Sequence, residues 1–216
     1  MQRVAVLSAI LLGGVAVTGA LAQGLPPIAD AEQVSENVWR IPGNGGNSVV
    51  FVRSDDVVLV DTKLPNSGES ILAEIRKFTD KPVTTLINTH SHPDHVGSNS
   101  FFAENDGVQV VAQANTAARM REGGGPFPPN RVDHEFSTYR QIGEGEDRVD
   151  LYYFGAAHTD GDAFVVFPED RVLMAGRYVV PFWYSDRTLM AHKSSLHFPE
   201  KLPLYGDWIG FLPDVW

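Results

Sequence analysis

The chain has 216 residues, of which 43% are hydrophobic and 20% charged, enough for one domain with a substantial core and too few residues for two full domains. A formal net charge of −10 argues against a general binder of nucleic acid or of anionic membranes. The chain contains no cysteine, which excludes a disulfide framework and thiolate ligands. Any metal ligand must therefore be nitrogen or oxygen.

The first 22 residues have the features of an export signal. Residues 1–3 are a short positive segment, residues 4–17 are apolar, and residues 20–22 read ALA, the A-x-A form of a cleavage site. The apolar stretch is shorter than the roughly 20 residues of a spanning helix, which favours cleavage over retention as a membrane anchor. We expect a signal peptide at 1–22 and a periplasmic or secreted mature domain at 23–216 with no membrane attachment.

Short strands and one helix are predicted in the first third of the mature chain. Turn-forming Gly, Asn, Asp and Ser residues separate apolar, β-branched runs of strand length. Ser67 can cap a helix whose Ile71, Leu72, Ile75 and Phe78 fall on one face. The predicted strands are 37–41, 48–52, 57–61 and 83–88.

Four side chains that commonly bind metals lie just after the last of these strands. Residues 90–95 read HSHPDH, a composition that ordinary core packing does not require. His90 and His92 are two apart in extended chain, so they face the same way and can bind one ion together. The proline turns the chain, so Asp94 and His95 can point to a second ion close to the first. A solvated polar loop is the alternative interpretation.

The second half alternates strands with short helices. Helices are predicted at 96–104 and 115–121, and strands at 108–112, 135–141, 148–154, 163–167 and 171–175. Residues 123–129, which read GGGPFPP, cannot form regular structure and are predicted to separate the two halves of the domain. His134 is interpreted as structural or solvated rather than as a metal ligand.

Three segments resemble the metallo-β-lactamase superfamily. Residues 89–99, THSHPDHVGSN, resemble its HxHxDH signature. Asp61, which ends a strand, is similar to the buried aspartate that the superfamily keeps beneath the metals. Residues 155–162, GAAHTDGD, resemble the Gly-His-Thr segment that supplies a third histidine. The segments follow in the expected order, and the resemblance extends over about 38–176.

The resemblance implies an α/β fold, the four-layer αββα sandwich of the metallo-β-lactamase type, here with a divergent or truncated C-terminal part. It also implies that His158 joins His90 and His92 at a first metal ion. A lone histidine is more commonly a surface or core residue. Here the flanking residues and the preceding apolar strand favour the ligand interpretation. Asp94 and His95 would bind a second ion.

This ligand set predicts hydrolysis. Three neutral imidazoles leave the fourth tetrahedral position of zinc open to water, whose pKa falls toward neutrality, so that hydroxide can attack a carbonyl, sulfuryl or phosphoryl centre. If the second site is empty, Asp94 is a candidate for moving protons. We expect an exported zinc hydrolase acting on an ester, thioester or lactam carbonyl of a small molecule. The alternatives are a true periplasmic β-lactamase and a degenerate metal-binding protein. Iron and manganese also suit these ligands.

The last 40 residues depart from the family pattern. Arg177 stands where many superfamily hydrolases have a metal-bridging aspartate, and a guanidinium cannot ligate a cation. A late histidine ligand could come only from His192 or His197, and neither follows a glycine as expected. We therefore expect one ion at the first site, with occupancy of the second left open. The aromatic, proline-containing tail is either a divergent lid or the product of a truncated or frame-shifted gene, and the oligomeric state is not indicated.

Overall fold

Residues 27–104, 107–124 and 128–176 are described by the structure, a computed structural model. The strands are β1 (Glu32–Gln33), β2 (Val38–Ile41), β3 (Ser48–Val52), β4 (Val57–Val60), β5 (Val83–Asn88), β6 (Gln109–Gln113), β7 (His134–Phe136), β8 (Tyr139–Ile142), β9 (Val149–Tyr152), β10 (Phe164–Phe167) and β11 (Val172–Met174). The helices are α1 (Gly68–Ile75), α2 (Pro93–Val96), α3 (Asn99–Ala103) and α4 (Ala114–Glu122), with a 3₁₀ turn at Gly145–Asp147.

The first sheet contains seven strands in the order β1-β2-β3-β4-β5-β6-β7. The pairs β1–β2, β2–β3 and β3–β4 are antiparallel, whereas the pairs β4–β5, β5–β6 and β6–β7 are parallel. Parallel neighbours need crossover connections, which the helices supply: α1 after β4, α2 and α3 after β5, and α4 after β6. The carboxyl ends of β4 and β5 consequently lie at one edge, the usual place for a site in α/β folds.

The second sheet contains four antiparallel strands in the order β11-β10-β9-β8, and its inner face packs against the first sheet. Alternate residues of β3 show the division, since Val49 and Phe51 point into the core between the sheets and Val50 points to the helices. Both faces of β4 are covered, which explains why all four of its residues are apolar and buried.

A second core lies between the first sheet and the helices. It joins Leu59 and Leu86 of the sheet to Ile71 and Ile75 of α1, whose spacing of four residues puts them on one helix face. Phe78, predicted on that face, lies beyond the end of α1 and stacks on Trp39 with ring centroids 4.5 Å apart. The described residues therefore form helix, sheet and sheet layers, and the predicted α/β sandwich is confirmed. The predictions for the C-terminal part concern residues outside the described ones.

The helix predicted at 96–104 is interrupted. Two short helices, α2 and α3, flank Gly97 and Ser98. The Gly97 amide donates to the Lys63 carbonyl (2.9 Å), and the Ser98 amide donates to Thr62 Oγ1 (3.2 Å), so neither is used for a continuous helix. A Cβ on Gly97 would also lie 2.5 Å from the Pro65 ring. Tertiary contacts with residues 62–65 therefore override the helical pattern.

The prediction of a single strand at 135–141 is wrong, because two strands of different sheets occupy this segment. The boundary between the two halves of the domain therefore lies here. Strand β7 pairs with β6 in the first sheet, and β8 pairs with β9 in the second. The chain crosses between sheets at 137–138, not at the glycine and proline segment 123–129. Of that segment, Gly125, Pro126 and Phe127 lie outside the described residues.

Replacing Phe167 by alanine tests the core between the sheets. Phe167 is fully buried, and its ring lies 4.9 Å from that of Phe51 in the facing sheet. We expect a loss of about 3–5 kcal/mol in the free energy of unfolding, because the cavity cannot close between two sheets. Denaturant unfolding measures the loss. The control is Phe101→Ala, at a position 38% exposed, which should cost clearly less; equal losses would contradict this description of the core.

Candidate metal centre

Three histidines meet at the carboxyl end of β5. His90 is fully buried two residues after the strand, His92 is partly buried, and His158 is exposed on the loop before β10. One potential ligand atom from each lies within 4.8 Å of the other two. His158 Nε2 and His92 Nδ1 are 3.0 Å apart. The structure thus brings together the three residues that the sequence assigned to the first ion.

The donor set suits a transition metal. Two imidazole nitrogens on one tetrahedral zinc, each bonded at about 2.0–2.1 Å, lie about 3.3 Å apart. The contact between His92 and His158 is close to that separation. The Nδ1 atom of His90 is engaged by Thr89 Oγ1 at 3.1 Å, which leaves Nε2 as its ligand atom. A cluster of imidazole nitrogens suits first-row transition metals, with zinc, iron and manganese all compatible.

Asp94 and His95 form a second pair beside this cluster. Helix α2 carries both residues, and Asp94 Oδ2 lies 3.6 Å from His95 Nε2. Two ligands of one ion with bonds of about 2.1 Å lie at a similar separation. The rings of His90 and His95 have centroids 4.0 Å apart, so the pair adjoins the three histidines. Arg177, His192 and His197, on which the sequence predictions for this second site depend, lie outside the described residues.

A single buried carboxylate orients histidines of both groups. Asp61 Oδ1 accepts from the Thr89 amide at 2.8 Å, and Oδ2 accepts from Thr89 Oγ1 and from His95 Nδ1, each at 2.6 Å. Because the Thr89 hydroxyl donates to Asp61, its oxygen accepts from His90 Nδ1. Both His90 and His95 therefore carry their proton on Nδ1 and keep the Nε2 lone pair for a ligand.

Polar side chains hold α2 beneath this pair. Thr62 Oγ1 donates to Asn99 Oδ1 (2.7 Å), and the side-chain Nδ2 of Asn99 donates to Asn88 Oδ1 (2.8 Å). The Thr62 amide donates to the His95 carbonyl at 2.7 Å. Sequence reasoning missed this network. The signal was two asparagines at buried positions, one on each side of the histidine motif, where apolar residues would be expected.

The loop that carries His158 is bound to helix α4. Asn115 Nδ2 donates to the Asp160 carbonyl (2.6 Å), and Thr116 Oγ1 donates to the Gly161 carbonyl (2.8 Å). Arg119 makes a bidentate ion pair with the Asp160 carboxylate, at 2.8 and 2.7 Å. These contacts fix the exposed third histidine relative to the first sheet, and no sequence pattern predicted them.

A two-sheet sandwich with histidines gathered at strand ends defines a class of metal-binding α/β proteins. The model of one family, described as the metallo-beta-lactamase superfamily, matches residues 41–181. The chain belongs to this superfamily, as its motifs predicted.

Two curated relatives are metallo-beta-lactamases. The type 2 enzyme of Bacillus sp. (strain 170) is 28% identical over 156 residues, covering 67% of this chain and 58% of the relative. The IND-1 enzyme of Chryseobacterium indologenes is 33% identical over 154 residues, covering 70% and 62%. A third relative, the 2,4-dinitroanisole O-demethylase subunit alpha of Nocardioides sp. (strain JS1661), is 30% identical and covers 68% and 45%. The chain thus spans about half of the length of these curated relatives. The names of the relatives describe different activities.

Solved structures confirm the fold. A metallo-beta-lactamase from Pontibacter korlensis superposes with a TM-score of 0.59 at 23% identity, covering 69% of this chain and 71% of that one. A beta-lactamase from Chitinophaga pinensis superposes with a TM-score of 0.59 at 19% identity, covering 64% and 57%. At these identities the likeness establishes the sandwich architecture.

Replacing Asp61 by asparagine tests the orientation of His95. The amide keeps the size of the side chain but cannot accept all three hydrogen bonds, so we expect a mixture of His95 tautomers and a loss of about 1–3 kcal/mol in stability. Long-range proton–nitrogen NMR reports the tautomer. Asp170→Asn is the control, because Asp170 accepts from Ser35 and Asn37 away from the histidines. Unchanged His95 signals in Asp61→Asn would rule out this role.

Proposed function

We propose that the mature chain is an exported, zinc-dependent hydrolase that acts on an ester, thioester or lactam carbonyl of a small molecule. The observation that carries the proposal is the convergence of His90, His92 and His158, with one potential ligand atom of each within 4.8 Å of the others. A transition metal held by three imidazoles lowers the pKa of water in its remaining position and so supplies a nucleophile near neutral pH.

The chain's own residues would perform the remaining tasks. Thr89 and Asp61 hold His90 in the tautomer that presents Nε2, so His90 needs no tautomer change to bind a metal. His158 is exposed, which opens this side of the cluster to a substrate. Asp94 is only partly buried and lies beside His95, where its carboxylate can hold or move a proton at the reacting group, or ligate a second ion.

The second ion is proposed to bind more weakly than the first. Within the described residues, the second group offers Asp94 and His95, whereas the first offers three histidines. Fewer protein ligands give lower affinity, and Arg177 in place of an aspartate adds a like charge if it reaches the site. The first ion is therefore the one that the proposed reaction requires.

A β-lactamase is the second candidate. It is favoured by the names of two relatives, which share 28% and 33% of aligned residues with this chain. The demethylase among the relatives argues against assigning the substrate from family membership alone. A lactam panel assayed alongside ester and thioester substrates separates these candidates directly.

His92→Ala tests the first metal site. The purified mature protein should contain close to one zinc per chain, and the variant should lose more than about 100-fold in zinc affinity, since losing a ligand costs more than losing an outer-shell contact. Chelator competition and elemental analysis measure the effect. His134→Ala is the matched control, because His134 is exposed on β7. Equal zinc content in both variants would refute the ligand assignment.

Turnover is measured on the same proteins. Wild type should hydrolyse at least one substrate of the ester, thioester and lactam panel, and His92→Ala should lose that activity while His134→Ala keeps it. Zinc binding without turnover on any of these substrates would favour the degenerate metal-binding protein over the hydrolase.

Export is tested by the N-terminus of the secreted protein. Residues 1–22, which lie outside the described residues, should be removed, so that the mature chain begins at Gln23. Among the described residues, no helix is long and apolar enough to cross a membrane. Intact mass and N-terminal sequencing check the prediction, with Ala22→Asp as a variant that should block cleavage. A full-length cytoplasmic product would contradict it.

A further inference from the structure

A buried lysine lies next to the proposed metal site and has no part in the chemistry described above. Lys63 follows Asp61 by two residues, is 0% exposed, and adopts a φ of 61°, in the left-handed region. Lysine is almost never fully buried unless its ammonium is satisfied. Its position therefore requires a structural reason.

The amine of Lys63 closes the loop between β2 and β3 at both ends. Nζ donates to the carbonyl of Ile41, the last residue of β2, at 2.6 Å. It also donates to the carbonyl of Gly46, two residues before β3, at 2.8 Å. The loop between them, residues 42–47, reads PGNGGN and is here called the glycine loop. A run with three glycines has high conformational freedom, so an external anchor is needed to fix its path.

The glycine loop lies directly against Asp94 and His95. The Gly46 amide donates to the Asp94 carbonyl at 3.1 Å. A Cβ on Gly46 would lie 2.6 Å from His95 Cε1 and 2.7 Å from His95 Nε2. A Cβ on Gly45 would lie 2.9 Å from Asp94 Cβ. The loop thus packs its main chain against the second ligand pair, and Gly45 and Gly46 are required there because side chains would collide with that pair.

The hydrogen bonds of Lys63 do not depend on its charge. Burial lowers the pKa of Lys63 to about 7, partly offset by the nearby Asp61 carboxylate. A neutral amine still has two N–H donors, and two carbonyls accept from Lys63. Both anchors can therefore persist on either side of neutral pH. A methionine of similar length would leave both carbonyls without this donor.

We propose that Lys63 is a positioning residue that holds the glycine loop against Asp94 and His95 and so shapes the second ligand pair of the metal site. The claim about metal rests on the proposed function, whereas the claim about the loop does not. Removing the amine should free the loop first and weaken the second pair as a consequence, without affecting the three histidines directly.

Hydrogen exchange of the metal-free full-length mature protein tests the loop. Lys63→Met should raise exchange of the amides at 43–47 and 94–97 by about tenfold or more while β9 and β10 stay unchanged, because the opening is local. The matched control is Lys81→Met, which removes an amine bonded to the Arg53 carbonyl (2.7 Å) at the opposite end of β5. Equal exchange in the two variants, or a uniform increase across the chain, would overturn the proposal.

Gly46→Ala gives a second test that keeps Lys63 in place. The added Cβ must displace the loop from His95, so exchange at 43–47 should rise here too, and the His95 ring signals should shift. Unchanged loop exchange and unchanged His95 signals in this variant would overturn the proposal even if Lys63→Met does not fold, because Lys63 can position His95 only through a loop that contacts it.

Zinc titration separates this inference from the proposed function. Lys63→Met should keep the first equivalent within about threefold and lose about tenfold or more in affinity for any second equivalent, an effect in the range of outer-shell changes. Equal loss of both equivalents would reduce Lys63 to a general structural residue and overturn the positioning role. If neither wild type nor variant binds zinc while the exchange difference is present, the proposed function fails and the anchoring of the loop stands.

Discussion

The geometry of the candidate metal centre depends on the hydrogen bonds that the Asp61 carboxylate accepts. This carboxylate is fully buried and accepts three hydrogen bonds, two from Thr89 and one from His95. A buried charge without partners is strongly unfavourable, and a hydrogen bond to a charged group contributes about 1.5–3 kcal/mol. The carboxylate therefore holds Thr89 and His95 in place, and through Thr89 it also fixes the ring of His90.

The direction of the strands brings these partners together. Because β4 and β5 run parallel, Asp61 and Thr89 emerge at the same edge, one residue after each strand. The second sheet joins at this point, since the Ala163 amide donates to the Thr89 carbonyl at 2.8 Å. The site thus has a rigid, buried floor from the first sheet and one exposed histidine from the second half.

The geometry of the ligands bears on the type of reaction, whereas family membership leaves the substrate open. The three histidines and the Asp94–His95 pair favour metal-assisted hydrolysis whatever the substrate, because the chemistry resides in the ligands. Substrate choice depends on the walls of the pocket, and relatives named as lactamases and as a demethylase share the fold. The glycine loop presents the main chain of Gly45 and Gly46, and no side chain at these two positions, to Asp94 and His95.

The sequence by itself determined the features that are local. The strand at 48–52 was predicted to the residue, and the histidines after β5 were recognised because ligand types and their spacing are written in adjacent positions. Three features were decided by the tertiary structure alone: the division of 135–141 between two sheets, the hydrogen bond between Asp61 and His95, and the burial of Lys63. The partners of Asp61 and Lys63 are 17 to 34 positions away, and both partners of Lys63 are main-chain carbonyls, which any residue could provide. Such contacts leave no pattern in the sequence, because they depend on which strand ends the packed sheets bring together.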